Sequence, residues 1–441
     1  MSQGTAQTGG RASALEFGVT ATSLRARTCV MRLPHGDVHT PVFMPVGTNG
    51  SVKGLTPRQL EDAGCQIILG NTYHLESAPG ASRIAAMGGL HRFSGWRRPM
   101  LTDSGGYQMV SLGEWCQVDE EGVCFGEVPA PQRRSRASEP GHCGAAASSR
   151  GSNSASGARS DGRSGGACGS MALTPEAAIR LQNDIGADII MALDDVVPAT
   201  HQDRARVAEA QGRTSRWLDR CLAAHSRPAE QSLFGIVQGG LDPELRARSL
   251  EDILARDTPG VAVGGLCGGE AKDAFWRAVK QCMDRLPPGK PRYVMGVGYP
   301  LDIVVCSCLG ADMFDSVYPT RTARFGTALV WGGTLHLRRA AFAADTRPLD
   351  DECPCEACAM KLSRARLHFL LRRGVDAAKV LLLQHNVTFT QQLTGGLQEA
   401  IRGGESRLEA FVRRYLAGVF GSEGDAPEWV RDAMAAAGIA L

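Results

Sequence analysis

The sequence predicts a (β/α)8 barrel, and two patterns along the chain support this fold class. A short apolar run repeatedly ends in glycine or a polar residue, and a helix-like stretch follows each run. Strands that alternate with helices form a parallel sheet, and strands that are apolar throughout are buried on both faces. About eight such units occur, as a closed barrel requires. The alternative, an open doubly wound sheet, is disfavoured because neither GxGxxG nor GxxxxGK[ST] follows the first strand.

The elements follow one another in a regular order. After an early strand candidate at 29–33, the predicted barrel strands lie at 41–45, 66–69, 99–101, 188–193, 233–237, 260–263, 293–295 and 313–314. Predicted helices include 243–255, 271–285 and one that begins at Thr174-Pro175, a threonine N-cap followed by proline. In a barrel, the chemistry lies at the carboxyl ends of the strands. Those ends carry Asp103, Asp194, Gln238, Gly265 and Asp315.

The chain is predicted to have three parts and one insertion. Residues 1–14 are expected to be disordered, 15–340 to form the barrel domain, and 341–441 to form a C-terminal subdomain. The segment 125–170 is almost entirely Gly, Ser, Ala, Arg and Pro, so it cannot bury enough apolar surface to fold. We therefore expect a disordered insertion there. A solvated linker is favoured, although its arginines leave contact with RNA open.

The composition is that of an ordinary soluble globular protein. The formal net charge is +2, so any binding to nucleic acid must use a local basic patch. No apolar run reaches the ~18 residues of a membrane span, and no secretory signal is evident. Most of the 14 cysteines lie in apolar segments, as reduced thiols of an intracellular protein do. The expected location is the cytoplasm, with mitochondrial association left open.

One group of cysteines has the spacing of a metal site. Cys353, Cys355 and Cys358 form the sequence CPCEAC, and His385 follows after a helical stretch at 363–372. Three thiolates and one imidazole suit a tetrahedral zinc ion. His368 is the alternative fourth ligand. Because four protein ligands leave no open coordination position, the predicted zinc is structural and belongs to the C-terminal subdomain.

The stretch 312–326, DMFDSVYPTRTARFG, has the features of a catalytic strand end. Asp315 ends a short apolar strand and is a candidate nucleophile or base. Arg321 and Arg324 follow on a loop, where planar and permanently charged side chains could hold phosphates. The alternative is a strand that ends in a turn with two surface arginines.

Together with the cysteine cluster, these motifs resemble those of the tRNA-guanine transglycosylases. The matching segments are PVFMPVGT at 41–48, GNTYHL at 70–75, LTDSGGYQM at 101–109, LDD at 193–195, VQGG at 237–240, GGLCGGE at 264–270, YVMGVG at 293–298 and FDSVYPTRTAR at 314–324. They cover nearly the whole chain in order. GGLCGGE and PTRTARFGTALV resemble the catalytic subunit of the eukaryotic, queuine-inserting branch.

The resemblance implies exchange of guanine at the anticodon wobble position for a modified deazaguanine. Asp315 matches the family nucleophile, and Asp103 matches its general acid/base. Cleavage of an N-glycosidic bond through an oxocarbenium-like transition state agrees with this pair, since retaining glycosidases use two carboxylates in the same way. The incoming base, rather than water, is expected to complete the reaction.

The resemblance also implies a binding site. Asp194, Ser104, Gln238 and the backbone N–H of Gly265 are expected to hold the polar edge of the base. Tyr107 and Met295 are expected to sandwich its ring, and Asn71 and His74 match pocket-wall positions. Arg321 and Arg324 are expected to grip the phosphates beside the extruded nucleotide. Each set has a simpler alternative, for example Asp194-Asp195 as a helix N-cap pair.

The resemblance finally implies a substrate preference and a partner. Gly268 stands where bulkier residues occur in other members, which leaves room for the substituent of queuine. The eukaryotic enzyme pairs a catalytic chain with a non-catalytic paralogous subunit, so a heterodimer is expected. Two alternatives remain: a non-catalytic RNA-binding subunit, against which Asp103 and Asp315 argue, and a plain glycoside hydrolase, for which the arginines would have no purpose.

Overall fold

The computed structural model describes residues 14–106, 108–112, 116–126 and 171–441. The strands are β1 (Glu16–Ser23), β2 (Ala26–Leu33), β3 (Gly36–Thr40), β4 (Val42–Gly47), β5 (Ile68–Asn71), β6 (Met100–Asp103), β7 (Cys116–Val118), β8 (Val123–Phe125), β9 (Met171–Leu173), β10 (Ile189–Met191), β11 (Ser232–Val237), β12 (Val261–Val263), β13 (Arg292–Val294), β14 (Met313–Ser316), β15 (Thr327–Val330) and β16 (Gly333–His336).

The helices are α1 (Pro57–Asp62), α2 (Thr72–Ser77), α3 (Ala81–Ala86), α4 (Leu90–Ser94), α5 (Gln108–Leu112), α6 (Pro175–Ile185), α7 (Arg204–Ala224), α8 (Pro243–Leu254), α9 (Lys272–Arg285), α10 (Pro300–Cys308), α11 (Tyr318–Arg324), α12 (Glu356–Ala359), α13 (Arg364–Arg372), α14 (Asp376–Arg402), α15 (Glu405–Phe420) and α16 (Glu428–Ala437). Within the described residues, two short 3-10 helices lie at Ala340–Phe342 and Glu423–Asp425.

Eight parallel strands close into a barrel, so the predicted fold class is confirmed. Going around the barrel, the order is β4, β5, β6, β10, β11, β12, β13 and β14, which is also the order along the chain. β14 closes the ring by pairing with β4, where Met313 lies opposite Val42. Every residue of β11 is buried, as expected of a strand covered on both faces.

A three-stranded antiparallel sheet, β1–β3, closes one end of the barrel. Met31 and Val38 of this sheet pack in one apolar cluster with the barrel residues Phe234 and Tyr293. Because β3 leads directly into the start of β4, the sheet lies at the amino-terminal end of the strands. The carboxyl-terminal end is therefore the end that remains accessible. Of this sheet, the sequence predicted only the strand at 29–33.

The predicted helix starts are confirmed where a capping residue was visible in the sequence. Thr174 precedes α6, and its hydroxyl accepts the N–H of Ala177 at 3.2 Å, with Pro175 in the first turn. The predicted helices 243–255 and 271–285 appear as α8 and α9. A side-chain cap satisfies backbone N–H groups that have no partner within the helix, which explains why the start of α6 could be recognised. Helix α9 instead begins after Ala271 without a side-chain cap.

Helix α14 joins the C-terminal segment to the barrel. The Gln391 side chain donates to the carbonyl of Phe43 at 3.0 Å, and that of Gln398 donates to the carbonyl of Pro41 at 2.9 Å. α14 also contacts α1 and α10, the helices that flank it around the barrel. It thus completes the outer ring of helices. The predicted division of the chain at 340/341 stays a prediction.

The predicted N-terminal tail and insertion lie almost entirely outside the described residues. Phe125, the first residue of the predicted insertion, instead ends β8, where it is buried and pairs with Met171 of β9. Its ring packs edge-on against Tyr73 at 4.8 Å, and this apolar contact explains why the strand includes it. Among the described helices, none has the length and apolar character needed to cross a membrane.

Candidate active site

The side chains predicted to carry chemistry converge at the open end of the barrel. Asp103 is the last residue of β6, and Asp315 lies near the end of β14. Asp194, Gln238, Gly265 and Met295 lie just beyond β10, β11, β12 and β13. Parallel strands end at the same edge of a sheet, so closure of the barrel turns distant segments into one site.

Asp315 is held by two donors from the neighbouring strand and loop. Its Oδ1 accepts the hydroxyl of Tyr293 at 2.6 Å and the N–H of Gly296 at 2.8 Å. Burial raises the pKa of the Asp315 carboxyl, and the two hydrogen bonds counteract that rise. Both of these bonds go to Oδ1, so they leave the lone pairs of Oδ2 unused.

Asp103 is held by the start of α2. Its Oδ1 accepts the N–H of Thr72 at 3.1 Å, and its Oδ2 accepts the side-chain amide of Asn71 at 2.6 Å. Asn71 is itself the N-cap of α2, because its Oδ1 accepts the N–H of His74 at 3.0 Å. That bond fixes the orientation of the Asn71 amide, so its NH2 group faces Asp103.

The two carboxyl groups differ in their electrostatic surroundings. Burial raises the pKa of Asp103 to about 7; the N–H of Thr72 opposes the rise, and the charge of Asp315 adds to it. A carboxyl with this pKa can exchange a proton near neutral pH. Both carboxyl groups accept hydrogen bonds that favour the charged form, but the negative charge of Asp315 favours the protonated form of Asp103. The pair can therefore supply one acid and one carboxylate at the same time, as general acid and nucleophile require.

A second carboxylate pocket lies at the ends of β10 and β11. Asp194 is buried, and its two oxygens accept the Ser104 hydroxyl at 3.3 Å and the Gln238 amide at 2.6 Å. Burial raises the pKa of Asp194 to about 6, and these two hydrogen bonds oppose the rise. A carboxylate oxygen has two lone-pair positions, so Asp194 can still accept N–H groups from a ligand.

Two glycines make room for this pocket. A Cβ atom on Gly265 would lie 2.3 Å from Oε1 of Gln238, and one on Gly106 would lie 2.6 Å from Oδ1 of Asp194. Gly265 also has φ +66°, a conformation that side chains other than glycine rarely adopt. Met295 is partly buried and packs against the barrel interior. Tyr107, predicted to face it across the base, lies outside the described residues.

Asp195 takes no part in this pocket. Arg206 binds its two oxygens at 2.8 and 2.6 Å, and Arg213 binds Oδ2 at 2.5 Å. The helix that follows, α7, is capped by Asp203 instead. The alternative in which Asp194 and Asp195 form an N-cap pair is therefore wrong.

Arg321 and Arg324 lie on α11, the short helix that begins two residues after β14. Arg321 is exposed and Arg324 is partly exposed. Neither forms an ion pair with a carboxylate in the described parts of the chain. Two guanidinium groups without a described counter-charge, on the helix that follows β14, are available to an anionic ligand.

The predicted metal ligands also come together. Nδ1 of His385 lies 3.5, 3.4 and 3.5 Å from the sulfur atoms of Cys353, Cys355 and Cys358. One imidazole lone pair cannot accept three thiol protons, so a shared cation explains the cluster better than hydrogen bonding. Nε2 of His385 lies 2.8 Å from the carbonyl of Leu329, which fixes the tautomer that leaves Nδ1 free. This four-residue group could hold a metal ion.

The alternative ligand is not part of that group. Nδ1 of His368 lies 2.7 Å from the carbonyl of Leu337, and His368 is absent from the metal-competent cluster of the described residues.

Tyr293 is the functional residue that the sequence did not single out. It lies in β13 and drew attention only as part of the motif YVMGVG. A tyrosine inside a predicted barrel strand was the available signal, because a buried phenol needs a hydrogen-bond partner. Asp315 is that partner.

Fold and site together define a class: barrel enzymes with two carboxyl groups at the strand ends, the pairing used on glycosidic bonds. Comparison with known families identifies one family within this class. The chain matches the family described as Queuine tRNA-ribosyltransferase over residues 22–130 and 163–420, and it belongs to that family. The unmatched stretch between 130 and 163 falls within the predicted insertion.

Relatives with names from this family are similar to the chain over almost its full length. The Queuine tRNA-ribosyltransferase of a Thermus thermophilus strain is 45% identical over 422 residues, which cover 96% of this chain and 98% of the relative. The Queuine tRNA-ribosyltransferase catalytic subunit of Schizosaccharomyces pombe is 44% identical over 430 residues, 96% of each chain. That of Caenorhabditis elegans is 42% identical over 434 residues, 95% and 98% respectively. The predicted family is confirmed, and the protein is an enzyme.

Proposed function

We propose that this chain exchanges guanine at the wobble position, nucleotide 34, of tRNAs with GUN anticodons for queuine. The exchange is a double displacement through a covalent aspartyl–ribose intermediate. The observation that carries the proposal is the pair Asp315 and Asp103, two buried carboxyl groups at one barrel end, because the charge of Asp315 favours the protonated form of Asp103.

The first displacement forms the intermediate. A carboxylate oxygen of Asp315 attacks C1′ of the ribose while the C1′–N9 bond breaks, and the bonding electrons go to the departing guanine. Asp103 donates its proton to that base and becomes a carboxylate. Tyr293 and Gly296 hold the nucleophile in place through Oδ1, so it enters the reaction already oriented.

The second displacement uses the same two groups in reverse. The Asp103 carboxylate removes a proton from the incoming base, whose nitrogen attacks C1′ and displaces the Asp315 carboxylate. Both aspartates return to their initial states. The tRNA backbone is never cut, because only the glycosidic bond is exchanged.

The pocket beside these residues binds the base. Asp194 accepts N–H groups of the guanine edge, and Ser104, Gln238 and the N–H of Gly265 complete the polar contacts. Met295 covers one face of the ring, and Tyr107 is the proposed cover of the other face. Asp194 is already oriented by Ser104 and Gln238, so the base meets a preformed acceptor.

Gly268 leaves space for the substituent of queuine. A Cβ atom at this position would lie 3.3 Å from the backbone nitrogen of Ala199, so a larger side chain would fill the gap between the two loops. The N–H of Gly268 is held by Glu270 at 2.8 Å. Competition between queuine and smaller deazaguanines for incorporation tests this preference.

Arg321 and Arg324 bind the phosphates that flank the extruded nucleotide. They lie on the helix that follows Asp315, and neither is neutralised by a described carboxylate. With a net charge of only +2, such a local patch is what an RNA substrate requires.

The Cys353, Cys355, Cys358 and His385 cluster holds one structural zinc ion. A tetrahedron with bonds of about 2.3 Å to sulfur and about 2.0 Å to nitrogen has a sulfur–nitrogen edge of roughly 3.5 Å. The sulfur–nitrogen distances of 3.4 to 3.5 Å fit that edge. The ion would link the segment before α12 to α14, which packs on the barrel.

The name "catalytic subunit" carried by the S. pombe and C. elegans relatives supports a second, non-catalytic subunit for this chain as well. We propose a heterodimer with such a paralogous chain. The cytoplasmic location stays a prediction, with mitochondrial association as the open alternative.

Incorporation of labelled guanine or queuine into a GUN-anticodon tRNA tests the proposal, with and without the partner subunit. Asp315→Ala should abolish incorporation, whereas Asp351→Asn, an exposed aspartate of the C-terminal segment, should leave it unchanged. Release of guanine without incorporation of a new base would instead point to a hydrolase. Binding of tRNA with no exchange under any condition would point to a non-catalytic RNA-binding subunit.

A further inference from the structure

An aromatic pair of one exposed and one partly buried tyrosine lies on the loops next to the active site. Tyr299 precedes α10, and Tyr318 is the first residue of α11. Their ring centroids are 4.3 Å apart, at an interplanar angle of 43°. The Tyr299 side chain remains 53% exposed, which is unusual for an aromatic residue so close to the core of a barrel.

The backbone places this pair next to the nucleophile. Tyr299 is three residues after Gly296 and Tyr318 is three residues after Asp315, and Gly296 donates to the Asp315 carboxylate. The two loops touch at Gly298, where a Cβ atom would lie 2.2 Å from Cβ of Ser316 and 3.0 Å from that of Tyr318. Only glycine allows this approach, so the packing that shapes the site also brings the two rings together.

The surroundings of the pair are basic on the side of α11. Arg321 follows Tyr318 by three residues and therefore lies on the same face of that helix. Lys272 has its ammonium 5.0 Å from the centroid of the Tyr299 ring, and it forms an ion pair with Asp302. Lys272 is thus largely neutralised, and Arg321 supplies the free positive charge.

We propose that Tyr299, supported by Tyr318, forms a stacking platform for an unpaired nucleobase next to the exchanged guanine. An aromatic surface beside an unneutralised cation is the combination that binds single-stranded nucleic acid, with the ring taking a base and the cation its phosphate. The inference rests on the proposed function, because it assigns a further subsite to the same RNA. It adds a contact to the nucleotide that stays outside the base pocket.

Photocrosslinking tests the contact directly. A GUN-anticodon tRNA carries 5-iodouridine on one side of the exchanged guanine, and then on the other, and is irradiated with the full-length zinc-loaded chain and its partner subunit. We expect one of the two RNAs to crosslink to the peptide that contains Tyr299. Crosslinks that form only elsewhere would overturn the proposal.

Kinetics with matched variants supply the second readout. Tyr299→Ala should raise the KM for tRNA about five- to tenfold, the lower end of what stacking of one base contributes, while kcat changes little. Tyr299→Phe keeps the aromatic ring, so its KM for tRNA should equal that of the wild type. If Tyr299→Ala exchanges guanine with an unchanged KM for tRNA, the stacking proposal is wrong and the proposed function still stands. If the wild-type protein exchanges no guanine, the proposed function itself is wrong. Loss of partner association in Tyr299→Ala, with crosslinking unchanged, would assign the pair to a protein contact instead.

Discussion

Replacing Tyr293 by phenylalanine removes one of the two donors to Asp315 and little else. The hydroxyl lies 2.6 Å from Oδ1, a short distance typical of hydrogen bonds to a charged acceptor. Such bonds contribute about 1.5–3 kcal/mol, and one pKa unit corresponds to about 1.4 kcal/mol. The change should therefore raise the pKa of Asp315 by about 1–2 units, in the direction that its burial already favours.

The assay is the pH dependence of kcat/KM for guanine exchange. Because Asp315 must be ionised to attack, the acid limb should move to higher pH by about 1–2 units, and the rate at a fixed acidic pH should fall roughly 10- to 100-fold. Tyr415→Phe is the matched control, since Tyr415 is a buried tyrosine of α15 outside the site. A uniform fall in kcat/KM without movement of the acid limb would refute this account of Asp315.

Three further predictions concern the base pocket, the metal and a pH-dependent contact. Gly265→Ala should raise the KM for guanine at least about tenfold with little effect on tRNA binding, because the new Cβ displaces the Gln238 amide; equal effects on both substrates would contradict this. Cys358→Ser should reduce bound zinc, measured by elemental analysis, and lower the melting temperature by several degrees; an unchanged zinc content would remove Cys358 from the ligand set. Nδ1 of His35 lies 2.8 Å from Oδ1 of Asp188, and this hydrogen bond raises the pKa of His35. Burial acts to raise the pKa of Asp188, but the hydrogen bonds that its carboxylate accepts outweigh burial and lower this pKa to about 2. The stabilisation from His35 is therefore complete below the pKa of ~6.5 that histidine has in the unfolded chain, and it is lost as pH rises through the pKa of His35 in the folded protein. The stabilisation from Asp188 is lost progressively as pH falls below ~4. Urea unfolding of His35→Ala against wild type should show a stability difference that is largest between about pH 4 and 6.5, and a difference independent of pH would contradict the assignment.

The barrel was predictable because each of its strands can be recognised from its own residues. Segments such as 233–237 are apolar at every position and end in polar residues or glycine, so burial on both faces can be inferred without a partner strand. Helix α14 gave no comparable signal. It contains Gly395 and Gly396 and several β-branched residues, and 17 of its positions are buried, so no amphipathic period is visible. Its stability comes from packing against the barrel, which propensity does not report.

The sequence allowed us to predict which residues form the candidate site. It did not allow us to predict how their side chains are oriented. Asp103 and Asp315 stand out as carboxylates at strand ends, and the cysteine cluster stands out by its spacing. The role of Asn71 depends on its cap bond to His74, which turns the amide toward Asp103. The role of Tyr293 depends on the pairing of β13 with β14, which brings its hydroxyl to Asp315. Such relations arise only when distant segments meet.

Mapping the covalent adduct would show whether Asp315 forms a bond with the ribose. The enzyme and its tRNA would be mixed, denatured in acid, digested with protease and nuclease, and analysed by mass spectrometry. We expect a nucleotide attached to the peptide that contains Asp315, and no adduct or exchange in Asp315→Asn. An adduct on Asp103, or exchange by Asp315→Asn at a rate comparable to wild type, would contradict it.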